Sequence, residues 1–234
     1  MPSRPIWAIP VALLAVAVLV GWPPTPAGAQ PDADAATVAG WVQAFYDQTR
    51  TLSARFTQRY VNRVYQRTDL SRGRVRFKRP GRMRFDYDDP NGKVIVSDGS
   101  RLLAYEPGED GGRGQYFERT LEDDQLSQAL GLLMGTARLD RDFRFRLLDA
   151  SRQGYADGYV LELRSRGRAS PHYSRILLYV DGAEERRGVV HRVLIVDPQN
   201  NRNRFDLEDQ RLNPPMPDRV FAWEPPEGAR RIEP

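Results

Sequence analysis

Two runs of strict period-two alternation flank the turn signal Arg79-Pro80-Gly81. They are Arg74-Val75-Arg76-Phe77-Lys78 and Arg82-Met83-Arg84-Phe85-Asp86-Tyr87-Asp88. Successive side chains of a strand point to opposite faces, so each run reads as a strand with one wet and one dry face. The length of the loop then sets the register. A two-residue Pro-Gly loop would place Phe77 opposite Arg84 and set the two apolar faces against each other. A three-residue loop pairs Phe77 with Met83 and Val75 with Phe85, so that all four share one face. The three-residue loop is the expectation, with the Arg79 side chain at the rim of that face.

Further strands are predicted at Leu52–Val61, Lys93–Ser97, Arg101–Glu106, Gln115–Arg119, Phe143–Leu148, Tyr159–Arg164, Arg175–Val180, Val189–Val196 and Arg204–Gln210. Turns at Asp89-Pro90-Asn91-Gly92, Asp98-Gly99, Asp181-Gly182 and Asp197-Pro198 punctuate them. About ten or eleven short antiparallel strands make a large curved sheet or barrel. Between Thr37 and Arg50, Val38, Trp41, Val42, Phe45 and Tyr46 recur at helical spacing, with Thr37 as a candidate N-cap. A second helix is expected over Glu122–Gly135, where Leu126, Ala129, Leu130 and Leu133 form a stripe behind an acidic start. Gly131 and Gly135 weaken it, at about 1 kcal/mol each in a helix interior. Such a helix suits a lid, and equally an ordinary core position. With only two short helices to cover a broad apolar face, either the sheet fills itself with side chains or it leaves an apolar cavity. Periodicity alone keeps both open.

The start of the chain carries one charge, Arg4, then an apolar run from Ile6 to Val20 and the small-residue triplet Ala27-Gly28-Ala29. That order predicts a signal peptide over 1–29, cleaved after Ala29, with secretion to the periplasm. The run of about 15 residues is short for a bilayer span, which needs roughly 20. An uncleaved N-terminal anchor is the alternative. The remaining 30–234, about 205 residues, suits a single domain. Cysteine is absent, which excludes disulfides, thiolate metal sites and acylation of an N-terminal cysteine.

The formal charge of +4 is a small excess, and 35 lysines and arginines are spread through the strands. Their alternation suits a solvated sheet face rather than a nucleic-acid surface, and secretion removes nucleic acid as a partner. Catalytic constellations do not stand out. Two histidines occur, His172 and His191, with no nucleophile elbow and no metal-ligand spacing. Asp86–Gly92 superficially resembles a calcium loop but lacks its ligand order and its final glutamate, so it reads as a strand end and a turn. No pair of carboxylates is singled out for glycoside hydrolysis. The expectation is a non-enzymatic protein without cofactor or metal.

Several ordered segments together resemble the outer-membrane lipoprotein carrier (LolA) family. They are Phe56-Thr57-Gln58, Lys78-Arg79-Pro80-Gly81-Arg82-Met83-Arg84-Phe85, Pro90, Val96-Ser97-Asp98-Gly99, Leu102 and Tyr105-Glu106-Pro107. The apolar stretch 126–134 and the terminal run Phe221-Ala222-Trp223-Glu224-Pro225-Pro226-Glu227-Gly228 complete the set. The resemblance implies a mainly β, α+β fold, an open antiparallel half-barrel with a helical lid over an apolar cavity. It implies a monomeric periplasmic chaperone for lipoprotein transport and outer-membrane biogenesis. Its partners would be acylated lipoproteins, an inner-membrane lipoprotein-releasing ABC transporter and an outer-membrane acceptor. Carried onto this chain, Phe56, Val75, Phe77, Met83, Phe85, Leu102, Leu126, Leu130 and Leu133 would line the acyl-chain cavity. Arg79 would latch the lid through main-chain carbonyls near Leu133 and Met134, and Met83 would contact the exporter. The arginines 59, 63, 67 and 72 depart from the family pattern and carry no role from it. The rival readings are a carrier of the same fold for a glycolipid or another lipid, and a periplasmic sensor of lipoprotein.

Overall fold

The computed structural model of the protein describes residues 33–108, 112–120, 130–167 and 169–233. The segment read as a signal peptide lies outside them, as do Leu126 and the first part of the expected lid helix.

The chain opens with α1, Ala35–Gln48. Asp34 rather than Thr37 caps it, its carboxylate accepting the Thr37 backbone N–H at 2.7 Å. Both residue types cap well, but the carboxylate also meets the positive end of the helix dipole. The stripe Val38, Ala39, Val42 and Tyr46 is buried, while Trp41 and Phe45 are half-buried at its margins.

Twelve strands follow: β1 Thr51–Asn62, β2 Arg67–Lys78, β3 Arg82–Tyr87, β4 Val94–Asp98, β5 Arg101–Glu106, β6 Gln115–Thr120, β7 Phe143–Leu148, β8 Gly158–Ser165, β9 Arg175–Asp181, β10 Val190–Val196, β11 Arg202–Leu212 and β12 Arg230–Arg231. They form one sheet in the order β12-β6-β5-β4-β3-β2-β1-β11-β10-β9-β8-β7. Every pairing is antiparallel except the short β12 beside β6. The two ends of the sheet do not pair, so it is an open half-barrel. The expected ten or eleven strands are all present, and the twelfth is the two-residue β12.

Across the Arg79–Gly81 turn Phe77 faces Met83 and Val75 faces Phe85, the register that parity demands of a three-residue loop. All four side chains are at most 1% exposed. Strand β2 is longer than the alternation suggested. It starts at Arg67 and pairs with β1 along its whole length, from Asn62 opposite Arg67 to Thr51 opposite Lys78.

One apolar cluster joins the inward residues of β1, β2, β3 and β5 with those of β8 to β11 and with the buried stripe of α1. A single face can share one cluster this way only if the sheet curls around the helix. Tyr46 anchors the helix there. Its hydroxyl accepts the Val190 backbone N–H at 3.2 Å, and burial pushes its phenol well above the ordinary value. On the outer face the C-terminal segment lays Phe221 and Trp223 over Val96, Leu103 and Tyr105.

Candidate functional site

The residues expected to line a cavity do converge. Phe56 from β1, Val75 and Phe77 from β2, Met83 and Phe85 from β3 and Leu102 from β5 all point to the concave face, each at most 1% exposed. The Phe85 ring is the hub, with ring centres 5.2 Å from Phe56, 6.0 Å from Phe77 and 5.7 Å from Phe205. Edge-on packing of this kind adds to the stabilisation from burial alone. Tyr87 and Phe205 belong to the same group, and sequence reasoning left them out. Both were legible: Tyr87 continues the odd parity of β3, and Phe205 begins an alternating pair with Leu207.

Over this face lies α2, Gly131–Met134, a single helical turn. Leu130, Leu132, Leu133 and Met134 are at most 5% exposed and belong to the core cluster. The face is therefore filled in this conformation, by its own side chains and by those of α2. An open cleft of about 930 Å³ lies at the far end of β1 and β2. Its lining mixes Gln58, Tyr60, Asp69 and Lys93 with Tyr87, Ile95 and Phe205.

The turn before β3 holds the helical cover in two ways. The Gly81 backbone N–H donates to the Met134 carbonyl at 3.0 Å. The Arg79 guanidinium donates to the Tyr46 carbonyl and to the Asp47 carboxylate, the latter at 3.3 Å. Those partners correct the expectation that Arg79 would bond to carbonyls near Leu133 and Met134. The side chain instead caps the C-terminal end of α1, where a cation meets the negative end of the helix dipole. It still touches the cover, because the guanidinium lies against Gly135, the left-handed residue that ends α2 (φ 75°). A β-carbon at Gly135 would fall 2.7 Å from Arg79 Cζ. Arg79 thus clamps α1, the turn and the end of α2 at one point.

This junction makes a prediction. Gly135→Ala should loosen the clamp as well as strain the backbone, where a left-handed residue other than glycine costs about 1–2 kcal/mol. Gly154 is the control: it has φ 66° and nothing within 4 Å of an added β-carbon. Thermal unfolding should show a larger loss for Gly135→Ala than for Gly154→Ala. Equal losses would mean that the contact with Arg79 has no energetic weight.

Met83, expected at an exporter contact, stands on the inner face of β3. It is fully buried opposite Phe77, so in this conformation it offers no surface to an exporter. Parity is the reason, since the odd positions of β3 all face inward. Leu126 cannot be placed, as it lies outside the described residues.

Away from this face, Asp86–Gly92 is a strand end and a turn. His191 on β10 is held by Asp181 at 2.7 Å. Among the described residues no group of three acidic, histidine or cysteine side chains is placed to hold a metal ion. No helix among them is long and apolar enough to cross a membrane.

The geometry defines a class first: an open one-sheet half-barrel that keeps an apolar concave face under a short helical cover. The chain belongs to the LolA family, whose model, described as outer membrane lipoprotein carrier protein LolA, matches residues 47–224. A protein of Chromobacterium violaceum named outer-membrane lipoprotein carrier protein is 29% identical over 202 residues, covering 86% of this chain and 90% of that one. A namesake from Nitrosospira multiformis is 26% identical over 193 residues, covering 82% and 87%. A solved LolA superfamily protein from Nitrosomonas europaea aligns with a TM-score of 0.43 at 15% identity, covering 81% of this chain and 97% of that structure.

Proposed function

We propose that the protein is a periplasmic carrier that shelters the acyl chains of lipoproteins against its concave face. It takes them from an inner-membrane lipoprotein-releasing ABC transporter and delivers them to an outer-membrane acceptor, as a monomer and without a chemical step. Segment 1–29 serves as its export signal. The observation that carries this reading is the cover itself. Among the described residues, one helical turn and the residue before it lay four buried apolar side chains, Leu130, Leu132, Leu133 and Met134, over a broad aromatic face.

Energetics make that cover an exchangeable one. Burial of a large apolar side chain contributes about 1.5–3 kcal/mol, so four contribute about 6–12 kcal/mol. A sixteen-carbon acyl chain, fully buried, contributes about 12 kcal/mol at 0.8 kcal/mol per methylene. The cover and one chain are therefore near balance, and displacing one by the other is close to reversible. A permanently open apolar pocket would bind two or three chains too tightly to release them. In this reading Phe56, Val75, Phe77, Met83, Phe85 and Leu102 hold the chains, and Leu130 and Leu133 leave to admit them.

Native mass spectrometry of purified protein mixed with a triacylated lipopeptide tests the proposal. The expected result is a complex of one chain and one lipopeptide that survives desolvation. Retention of a glycolipid in preference to the lipopeptide, or of neither, would overturn it.

A further inference from the structure

The hairpin between β1 and β2 extends past β3, while on its other side β11 stays paired with β1 as far as Val61 opposite Arg202. Strand β3 pairs with β2 only from Gly73 onward, while β1 and β2 stay paired out to Asn62 and Arg67. The six-residue overhang reaches roughly 20 Å beyond β3, at about 3.3 Å per residue. Its tip, Arg63–Gln66, carries Val64 and Tyr65 at 68% and 80% exposure, and Leu70 stands 53% exposed on the flank. An isolated exposed apolar residue is ordinary. Here three large ones share a single hairpin.

The tip is held rather than frayed. The Asn62 side chain accepts the backbone N–H groups of Val64 and Tyr65 at 3.0 and 3.1 Å. The Asn201 side chain, from the neighbouring turn, accepts the Arg63 N–H at 2.8 Å. Three arginines stand on or beside it, Arg59, Arg63 and Arg202, and Arg72 lies farther down the hairpin; all four are exposed and form no ion pair among the described residues. Arg59 faces the same side as Leu70, directly opposite it. Arg67 is already matched by Asp69 at 2.7 Å. Asp88 and Asp89 lie lower, at the turn after β3, level with Arg72.

We propose that this tip docks the protein on an anionic membrane surface, with Val64 and Tyr65 in the interfacial layer and the surrounding arginines on lipid phosphates. An aromatic and an aliphatic side chain presented on a fixed turn suit the headgroup region. Guanidinium groups match phosphate oxygens in bidentate fashion. A protein partner fits less well, because a specific interface takes about 800 Å² from each side, far more than two side chains on a turn supply. The cleft of about 930 Å³ lies at the foot of the same hairpin. Docking would turn that end of the concave face toward the bilayer.

Co-sedimentation with protein-free vesicles tests the proposal without any lipoprotein, so its failure is separate from failure of the carrier reading. Vesicles of phosphatidylcholine with a third of anionic phosphatidylglycerol should bind the protein, and pure phosphatidylcholine vesicles should bind it far less. Added salt should weaken binding. Arg59→Gln and Arg63→Gln should each cost about fivefold in vesicle affinity. Val64→Ser with Tyr65→Ser should abolish most of the remainder while leaving the melting temperature unchanged. Equal binding to both vesicle types, or full binding by the Ser/Ser variant, would overturn the proposal. So would binding only to membranes that retain their proteins, which would assign the tip to a protein partner.

Discussion

Replacing Arg79 by leucine is expected to make the protein accumulate with lipoprotein bound. The guanidinium makes two charge-assisted hydrogen bonds, to the Tyr46 carbonyl and the Asp47 carboxylate. Such bonds contribute about 1.5–3 kcal/mol each when well shielded. Asp47 is 39% exposed, so its share falls toward that of a surface pair. A total near 2–3 kcal/mol remains, which corresponds to a shift of roughly 30- to 150-fold between closed and open states. Loss of the clamp frees the end of α1 and the space beside Gly135, so the cover over the apolar face loses its support while the Gly81–Met134 bond persists. The open, lipid-holding state then gains population. The variant should accept lipoprotein and pass it on poorly. Arg82→Leu is the control, because among the described residues Arg82 is ion-paired only with Asp218, at 3.8 Å and on the outer side. Measuring the loaded fraction and the transfer rate for both variants checks this. Wild-type behaviour in each would leave Arg79 as a surface turn residue.

The sheet was legible because its period of two is enforced by burial on a single face. From Arg74 to Tyr87 every odd residue had to point inward, and the register followed from the length of one turn. The same logic failed over 67–72, where Arg67, Asp69 and Ser71 occupy inward positions. That stretch of β2 runs past the end of β3 and borders the open cleft rather than the core, so nothing selects apolar residues there. Met83 shows parity as the better guide. The resemblance placed it both in the cavity lining and at an exporter contact, and its alternation alone turns it inward. The partners of Arg79 were illegible for a different reason. They depend on where the end of α1 meets the turn, a contact between residues more than thirty apart that no local pattern encodes. The cover was only half legible, since Leu132 and Met134 fall off the helical stripe and are buried all the same.

Gly73→Val is expected to destabilise the concave face strongly although it only adds carbon to it. An isolated glycine inside a strand often marks a close approach, and here that approach is to an aromatic ring. Gly73 sits opposite Phe56 on one side and Tyr87 on the other. The Phe56 ring lies over the bare backbone, where a β-carbon would fall 2.9 Å from two of its ring carbons and overlap the Asp86 carbonyl oxygen. That ring cannot simply move away, because it packs edge-on against Phe85 at 5.2 Å and Tyr87 at 5.0 Å. Overpacking a tight core typically costs 1–3 kcal/mol and occasionally more. With backbone on one side and a locked ring on the other, about 3 kcal/mol is the expected loss, a fall in Tm of about 6–12 °C for a chain of this size. Arg74→Val, one residue on and facing solvent, should change stability by no more than about 0.5 kcal/mol. Shrinking the ring in a Phe56→Leu, Gly73→Val double variant should recover part of the loss, since residues in contact are energetically coupled. If the two single variants cost as much together as they do apart, the strain at Gly73 comes from the Asp86 carbonyl alone and the aromatic contact plays no part.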